Sequence, residues 1–307
     1  MISCSVIIPT RDRSAFLVRA VQSAISAIPE DGEVIVIDDA STVPAAESLS
    51  HLNFRRLRVL RNEVALGNGG SPSRNRGANA AAGRVLFFLD DDDEVMPGYF
   101  AFVLSSGASE RADFGFSART FAKRLQTGED TYSIERRGLP DGIVSNGQSF
   151  ARRSFPFSAG FWMTRKAYEV AGPMATTMAT NSDTDYCCRL YSKRLVGRYS
   201  TQPGIMIHHR QDGDASQLDS VTRRTKAADR AAAFHQISKR HRTFLASNAS
   251  AAEFVHQRWM KHAIRADDAT GTLCAIATAP QLAVRLKLRL KYVGLRLVNL
   301  LDRSRRD

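Results

Sequence analysis

The first 110 residues alternate short apolar runs with segments of helical periodicity, and this alternation constrains the fold more than any other feature of the chain. Four runs rich in Val, Ile, Leu and Phe are typical of buried strands. They span residues 5–8, 33–37, 57–60 and 85–89. Between the first two runs, apolar residues recur at helical spacing, at Leu17, Val21, Ala24 and Ile28. This βαβ pattern predicts an α/β fold with a mainly parallel, Rossmann-like sheet flanked by helices.

Polar segments follow directly after three of the predicted strands. Pro9-Thr10-Arg11-Asp12-Arg13 follows the first, Asp38-Asp39 the second and Asp90-Asp91-Asp92-Asp93 the fourth. The carboxyl ends of parallel strands meet at one edge of a sheet, and ligands of such sheets bind beyond that edge. We therefore expect these three segments to face one crevice.

The acidic run after the fourth strand is the strongest candidate for a metal site. Asp90, Asp91 and Asp92 offer carboxylate oxygens, which suit a hard divalent cation such as Mn²⁺ or Mg²⁺. Four adjacent carboxylates also repel one another unless a cation or solvent compensates their charge. The alternative is an acidic turn that caps the helix predicted to begin near Pro97, and the run alone does not decide between the two.

Two further segments of the first half offer nucleotide contacts. Asp38 and Asp39 could accept hydrogen bonds from a base or a ribose, or could cap a β-to-α turn. The glycine-rich stretch 62–77 leads into a helix and contains Asn68, Gly69 and Arg74. It carries neither a Walker loop nor a dinucleotide fingerprint, and structural turns account for its glycines equally well.

The second half contributes an acidic helix start and a histidine pair. Asp183 and Asp185 begin a predicted helix over about residues 183–192, where they could cap free N–H groups or perform acid–base chemistry. His208 and His209 follow the strand-like residues 204–207, and they are either metal ligands or structural residues.

Together these motifs resemble the family 2 glycosyltransferases of the GT-A fold, in order, over about residues 3–210. The matching segments are Val6-Ile7-Ile8-Pro9-Thr10, Val36-Ile37-Asp38-Asp39-Ala40-Ser41-Thr42, Arg74-Asn75-Arg76-Gly77 and the run from Phe88 to Gly98. The catalytic Glu-Asp pair of the family is matched by Ser182-Asp183, so Ser replaces the usual Glu. Arg11-Asp12 likewise replaces a Tyr-Asn pair, which affects the expected donor and acceptor contacts but leaves Asp183 in place.

The resemblance implies a metal-dependent, inverting transfer of a sugar from a nucleotide diphosphate sugar, with a UDP-sugar favoured, to the hydroxyl of a glycan or lipid-linked acceptor. It implies a role in cell-surface polysaccharide synthesis, with Asp183 as the catalytic base. The implied metal ligands are Asp92, Asp90, His208 and His209. The implied nucleotide-sugar contacts are Pro9, Thr10, Arg11, Arg13, Asp38, Asp39, Asn68, Gly69, Arg74, Asp90 and Asp91.

The predicted domain organisation is a catalytic domain over residues 1–215 and a helical extension over 216–307. The catalytic domain divides into a nucleotide-binding half, about 1–110, and an acceptor half, about 111–215. The chain has a net charge of +12, and residues 281–307 hold eight basic and two acidic residues, a net charge of +6. With apolar residues at helical spacing from Leu282 to Leu301, this tail predicts a basic amphipathic helix. It favours an anionic membrane surface as partner, although a solvated basic helix is the alternative.

No signal peptide, membrane span, disulfide framework or zinc pattern is predicted, so we expect a cytoplasmic protein at the inner face of the cell membrane. We expect no nucleic acid partner, and a homo-oligomer stays among the alternatives. Two other functions remain open at this point. A sugar-phosphate nucleotidyltransferase would release pyrophosphate from a nucleoside triphosphate, and a non-catalytic module for membranes or polyanions would show no donor turnover.

Overall fold

A computed structural model of the chain describes residues 2–67, 70–105, 111–124, 130–136, 138–152, 160–209 and 225–304. The predicted contacts Asn68 and Gly69 lie outside the described residues, and so does the side chain of His209. The chain forms two compact units. One comprises residues 1–145 and 154–221, and the other comprises residues 146–153 and 222–307.

The amino-terminal part of the first unit is the predicted parallel α/β layer. Its strands are β1 (Cys4–Thr10), β2 (Glu33–Asp38), β3 (Leu57–Arg61) and β4 (Val85–Phe88). Its helices are α1 (Ser14–Ala27), α2 (Ala45–Ser48) and α3 (Ser71–Ala80). The strands lie in the order β3-β2-β1-β4, and each neighbouring pair is parallel. The carboxyl ends of β1, β2 and β4 therefore meet at one edge, as predicted.

Beyond β4 the sheet becomes mixed. The remaining strands are β5 (Asp93–Val95), β6 (Phe114–Arg124), β7 (Asp130–Glu135), β8 (Gly142–Val144), β9 (Trp162–Thr164) and β10 (Gly197–His209). The pair β6 and β10 is parallel, whereas β9 runs antiparallel to both β4 and β6. β5 and β8 run antiparallel to β10, and β7 runs antiparallel to β6. Three of these strands have only three residues, which is too short for a recognisable apolar pattern.

Helices of the same unit complete the layer on the sheet. They are α4 (Tyr99–Ser105), α6 (Arg165–Ala171) and α7 (Ser182–Ser192). β1 and β2 are buried on both faces, because Val6 and Val36 on one face and Ile7 on the other are inaccessible to solvent. A Cβ on Gly77 would lie 2.4 Å from Ile7 Cγ2, so this glycine lets α3 approach the sheet closely. Dense packing on both faces holds the strand ends, and the loops that follow them, in fixed positions.

The second unit is helical, as the carboxyl-terminal sequence predicts. Its helices are α5 (Asn146–Arg152), α8 (Ala227–Arg240), α9 (Arg242–Ser247), α10 (Ala249–Arg265), α11 (Ala269–Ala277) and α12 (Leu282–Ser304). Although the sequence places α5 in the acceptor half, α5 belongs to this unit because Phe150 packs between Phe244 and Phe254, with ring centroids 6.0 and 5.9 Å away. None of the helices in the described ranges is long and apolar enough to cross a bilayer.

Candidate active site

The loop after β1 and the acidic run after β4 are joined by direct side-chain contacts. Thr10 Oγ1 donates a hydrogen bond to Asp91 Oδ2 at 2.8 Å. Arg13 Nη1 donates to Asp91 Oδ1 at 2.8 Å and to Asp92 Oδ2 at 3.1 Å. Four of the predicted site residues thus lie together at the sheet edge. The two remaining predicted contacts of this segment lie apart from the group. Pro9 is half-buried within β1, and Arg11 is exposed and forms an ion pair with Asp12 at 3.6 Å.

The acidic run places four adjacent carboxylates beside the guanidinium groups of Arg13 and Arg74. Burial raises the pKa of Asp91, although the charge of Arg13 counteracts that rise. Asp93, which the sequence did not single out, is also buried. Burial and the charges of Asp90 and Asp92 raise the pKa of Asp93 well above its usual value. A cation beside Asp90 and Asp92 would relieve this repulsion.

The donor set at Asp90 and Asp92 fits a hard divalent cation. Their side chains are 37% and 32% exposed, which leaves carboxylate oxygens accessible from the crevice. Carboxylates with free access to solvent are the ligands that Mg²⁺ and Mn²⁺ favour, since these ions retain positions for water and phosphate oxygens. Among the described residues, however, no group of three or more Asp, Glu, His or Cys side chains converges on one point. Oxygens from the donor diphosphate would have to complete the coordination.

His208 has a protein partner in this structure. It lies near the end of β10, where β10 pairs with β5, and its Nε2 contacts Glu94 Oε1. Glu94 also forms an ion pair with Arg19 at 3.1 Å. A metal contact of His208 through Nε2 would require this pair to separate, whereas a contact through Nδ1 would leave it intact. The side chain of His209, the other predicted ligand, lies outside the described part of the chain.

Asp38 is occupied by donors of its own chain. Its oxygens accept hydrogen bonds from the backbone N–H of Ser41 at 2.8 Å and of Ala45 at 3.0 Å, and from Arg61 Nη1 at 2.8 Å. The side chain is inaccessible to solvent. The cost of burial is outweighed by the hydrogen bonds from Ser41 and Ala45 and by the charge of Arg61, and the pKa of Asp38 lies below its usual value. Asp38 thus caps the turn into α2.

Asp39 orders the loop that follows β3. Its Oδ1 accepts hydrogen bonds from Asn62 Nδ2 at 2.7 Å and from the Leu66 N–H at 2.9 Å. Its Oδ2 accepts from the Gly67 N–H at 3.1 Å. This loop runs towards Asn68 and Gly69, so Asp39 acts on the segment that carries two predicted nucleotide contacts.

Three residues with unfavourable backbone conformations border the site. Asp12, Ala40 and Asn181 adopt positive φ angles of 54°, 59° and 58°. They lie after β1, after β2 and immediately before α7. Asp12 also joins the first two loops, because its Oδ1 accepts a hydrogen bond from the Thr42 N–H at 2.6 Å. Strain of this kind, about 1 kcal/mol or more for a residue such as Ala, is characteristic of functional sites.

Asp183 lies in the first turn of α7. Its Oδ1 accepts a hydrogen bond from the Thr184 N–H at 2.7 Å. Part of its surface is accessible to solvent, but the carboxylate is densely surrounded by protein atoms. Burial therefore raises the pKa of Asp183, and the Thr184 N–H and the charge of Arg74 offset part of that rise. A carboxylate with raised proton affinity at the edge of a crevice is suited to accept a proton.

Arg74 connects the acidic run with the start of α7. Its Nη2 contacts Asp90 Oδ1, and its charge acts on Asp183. The first residues of α3 and α7 are also in direct contact, because Ser71 Oγ donates a hydrogen bond to Ser182 Oγ at 2.9 Å. Arg74, Asp90 and Asp183 thus form one electrostatic group, which the spacing of 109 residues between Arg74 and Asp183 gives no way to foresee.

Asp185, the alternative candidate on the same helix, is structural. It is inaccessible to solvent and pairs with Arg189 Nη2 at 3.1 Å, one turn along α7. Arg189 in turn donates a hydrogen bond to the carbonyl oxygen of Pro173. Asp185 thus serves an i, i+4 ion pair within the helix, whereas Asp183 accepts a backbone N–H in the first turn and stays partly exposed.

Comparison with known protein families decides the classification. The profile of glycosyl transferase family 2 matches residues 5–169. The chain belongs to this family. The matched segment begins in β1 and ends in α6, so it includes the first loop, Asp38, Asp39, Arg74 and the acidic run.

The chain is similar to named relatives over part of its length. It is 31% identical over 137 residues to the Campylobacter jejuni GalNAc(5)-diNAcBac-PP-undecaprenol beta-1,3-glucosyltransferase, a match that covers 44% of the chain and 42% of that protein. The chain spans less than half the length of the curated relatives it matches first.

Solved structures with low sequence identity share its fold. The structure of S. aureus TarS 1–349 in complex with UDP-GlcNAc has a TM-score of 0.67 and 15% identity, and covers 91% of the glycosyltransferase and 82% of that chain. The structure of GalNAc-T7 with UDP, GalNAc and Mn²⁺ has a TM-score of 0.54 and 18% identity. This match covers 69% of the present chain and 45% of the GalNAc-T7 chain. These neighbours confirm the predicted GT-A fold.

Proposed function

We propose that this glycosyltransferase inverts the anomeric configuration as it moves a sugar from a nucleotide diphosphate sugar to a hydroxyl group of a glycan or lipid-linked acceptor. A UDP-sugar is the favoured donor, because solved neighbours are described with UDP-GlcNAc and with UDP. The name of the Campylobacter relative, an undecaprenol-linked glucosyltransferase, supports a role in cell-surface glycan synthesis. The observation that carries the proposal is the position of Asp183, which shares Arg74 with the acidic run.

Asp183 acts as the general base in this proposal. Its raised pKa increases its affinity for the proton of the acceptor hydroxyl, while the charge of Arg74 offsets part of that rise. The acceptor oxygen attacks the anomeric carbon from the side opposite the nucleotide, and the bond to the diphosphate oxygen breaks in the same step. One in-line displacement inverts the configuration and forms no sugar–protein bond.

Asp90 and Asp92 would hold a divalent cation, Mn²⁺ or Mg²⁺, with His208 or His209 as further proposed ligands. When bound, such an ion neutralises the charge that develops on the departing nucleoside diphosphate. Arg13 and Arg74 orient the two carboxylates through the contacts described above. We assign catalysis to residues 1–215 and regard residues 216–307 as the extension that brings the enzyme to the cytoplasmic face of the membrane.

The test is a screen of nucleotide sugars for Mn²⁺-dependent release of nucleoside diphosphate, repeated with candidate acceptors. We expect one donor class to be consumed, and we expect NMR of the product to show the anomeric configuration opposite to that of the donor. A product with the donor's configuration would contradict the proposed mechanism. Pyrophosphate release from a nucleoside triphosphate and a sugar phosphate would instead indicate a nucleotidyltransferase.

A further inference from the structure

Helix α12 presents two stripes of apolar residues on opposite sides. The inner stripe contains Val284 and Leu288, which are buried where α12 packs on α10 and α11. Two lysines reinforce this contact, because Lys287 Nζ lies 2.9 Å and Lys291 Nζ 3.5 Å from the carboxylate oxygens of Glu253 on α10. The inner stripe and these ion pairs therefore account for the attachment of α12 to its own unit.

The outer stripe has no such role. It consists of large apolar side chains that are 68%, 50%, 74% and 54% exposed, at Leu282, Leu286, Leu290 and Val293. At about 100° per residue these positions fall in one sector of the helix, roughly opposite Val284 and Leu288. The stripe is about 17 Å long, at about 1.5 Å per residue. A continuous apolar stripe of this length in contact with water is characteristic of a binding surface.

The charge around the outer stripe specifies the kind of partner. Residues 282–301 contain five basic residues and no Asp or Glu. Arg289 borders the stripe on one edge with its side chain exposed, and beside it Arg285 donates hydrogen bonds to the carbonyl oxygens of Ala279 and Pro280. An apolar stripe with a cation at its edge is complementary to a surface that combines an apolar interior with negatively charged groups outside it.

We propose that the outer stripe of α12 lies in the interface of an anionic lipid bilayer, with the helix parallel to the bilayer plane. The leucine side chains enter the boundary between headgroups and acyl chains, and Arg289 contacts lipid phosphates. A second copy of the chain fits this surface less well, because two stripes face to face would bring their arginines together. The inference supplies a location for the proposed lipid-linked acceptor, but the binding itself requires no sugar transfer.

The experiment is co-sedimentation of the full chain with two kinds of vesicle. One kind is phosphatidylcholine alone, and the other contains about one third phosphatidylglycerol, which gives the surface a negative potential. We expect the protein to sediment with the anionic vesicles and to stay in solution with the neutral ones. Added salt should weaken the binding, because it screens the attraction of the arginines but not the apolar contact.

Substitutions separate the outer stripe from general surface effects. The double variant Leu286→Glu, Leu290→Glu should reduce binding to anionic vesicles by about tenfold or more, since it places charge in the interface. The matched control is Leu273→Glu, because Leu273 is 58% exposed on α11 of the same unit. It should bind like the wild type. Arg289→Gln should give an intermediate loss on anionic vesicles. Unchanged melting temperatures would establish that all variants are folded.

Three results would overturn the proposal. The first is equal sedimentation with both kinds of vesicle, and the second is unchanged vesicle binding by the double variant. The third is a wild-type protein that forms a dimer and does not bind vesicles, together with a double variant that is a monomer. The last result would make a second copy the occupant of the stripe. Nucleotide release is measured separately without vesicles, so failure of membrane binding and failure of the proposed glycosyl transfer are distinguishable.

Discussion

The aspartates after β2 and those after β4 look alike in the sequence but lie in opposite surroundings. Asp38 and Asp39 accept hydrogen bonds from backbone N–H groups and from the side chains of Arg61 and Asn62. Asp90 and Asp92 are partly exposed and contact the guanidinium groups of Arg74 and Arg13. Buried carboxylates that accept backbone N–H groups stabilise loops, whereas partly exposed carboxylates keep oxygens within reach of a ligand.

Substitution of Asp92 tests whether the aspartates after β4 have a functional role or only a structural one. Asp92→Ala should lower the rate of sugar transfer by about 10²-fold or more, because the nucleoside diphosphate loses the cation that stabilises its departure. The melting temperature should change little, since Asp92 is 32% exposed. Chelator should abolish wild-type transfer, and Mn²⁺ should restore it in the wild type but not in the variant. Full activity of the wild type in excess chelator would mean that Asp92 holds no catalytic cation and has a structural role, as Asp38 has.

Asp38 should behave in the opposite way. Asp38→Ala leaves the N–H groups of Ser41 and Ala45 without their acceptor, and we expect the free energy of unfolding to fall by about 2–3 kcal/mol. The exposed Asp130 provides a control, for which Asp130→Ala should change stability by no more than about 0.5 kcal/mol. Urea denaturation of both variants measures the difference. Equal stability of the two would mean that the Asp38 cap contributes little.

The pH dependence of stability and of activity should separate Asp38 from Asp183. The folded-state pKa of Asp38 is lowered, so its contribution to stability is complete above about pH 4 and is lost as pH falls through the folded pKa. The pKa of Asp183 is raised, so the base becomes protonated at a higher pH. We expect kcat/KM to decline on acidification before the protein loses stability. Coincident losses of kcat/KM and of secondary structure would contradict this order.

The smallest expected effect concerns the strained loop that follows Asp39. Ala40→Gly should raise the free energy of unfolding by up to about 1 kcal/mol, since glycine adopts the observed φ of 59° without a Cβ clash. The gain is reduced by the larger conformational entropy of glycine in the unfolded chain. Thermal denaturation measures the balance, and a clear loss of stability would show that Ala40 is not strained.

Much of the first unit follows from the sequence because its determinants are local. The apolar runs of β1 to β4 predict parallel strands, and parallel strands bring their carboxyl ends together, which places Thr10 and Arg13 beside Asp91. The contact of Arg74 with Asp90 and its effect on Asp183 depend on how α3 and α7 pack, which no local pattern encodes. The pairing of His208 with Glu94 likewise arises only from the ladder between β5 and β10.

Several short strands and local conformations could not be predicted from the sequence. β5, β8 and β9 have three residues each, so neither periodicity nor composition identifies them. The burial of Asp93 and the positive φ of Ala40 also result from tertiary packing. Ser41 and Ala45 lie near Asp38 in the sequence, but Arg61 and Asn62 come from β3 and the loop after it. The sequence alone therefore did not separate the roles of Asp38 and Asp39 from those of Asp90 and Asp92.

The central claim is that Asp183 removes the proton from the acceptor, and Asp183→Asn tests it most directly. Asn caps a helix about as well as Asp, so the melting temperature and donor affinity should stay near wild type. Asn cannot accept the proton, and turnover should fall by about 10²- to 10⁴-fold. Asp185→Asn is the matched control on the same helix, and it should lose stability through its contact with Arg189 while each folded molecule keeps near-normal turnover. Turnover of Asp183→Asn within a few-fold of wild type would contradict the proposed mechanism.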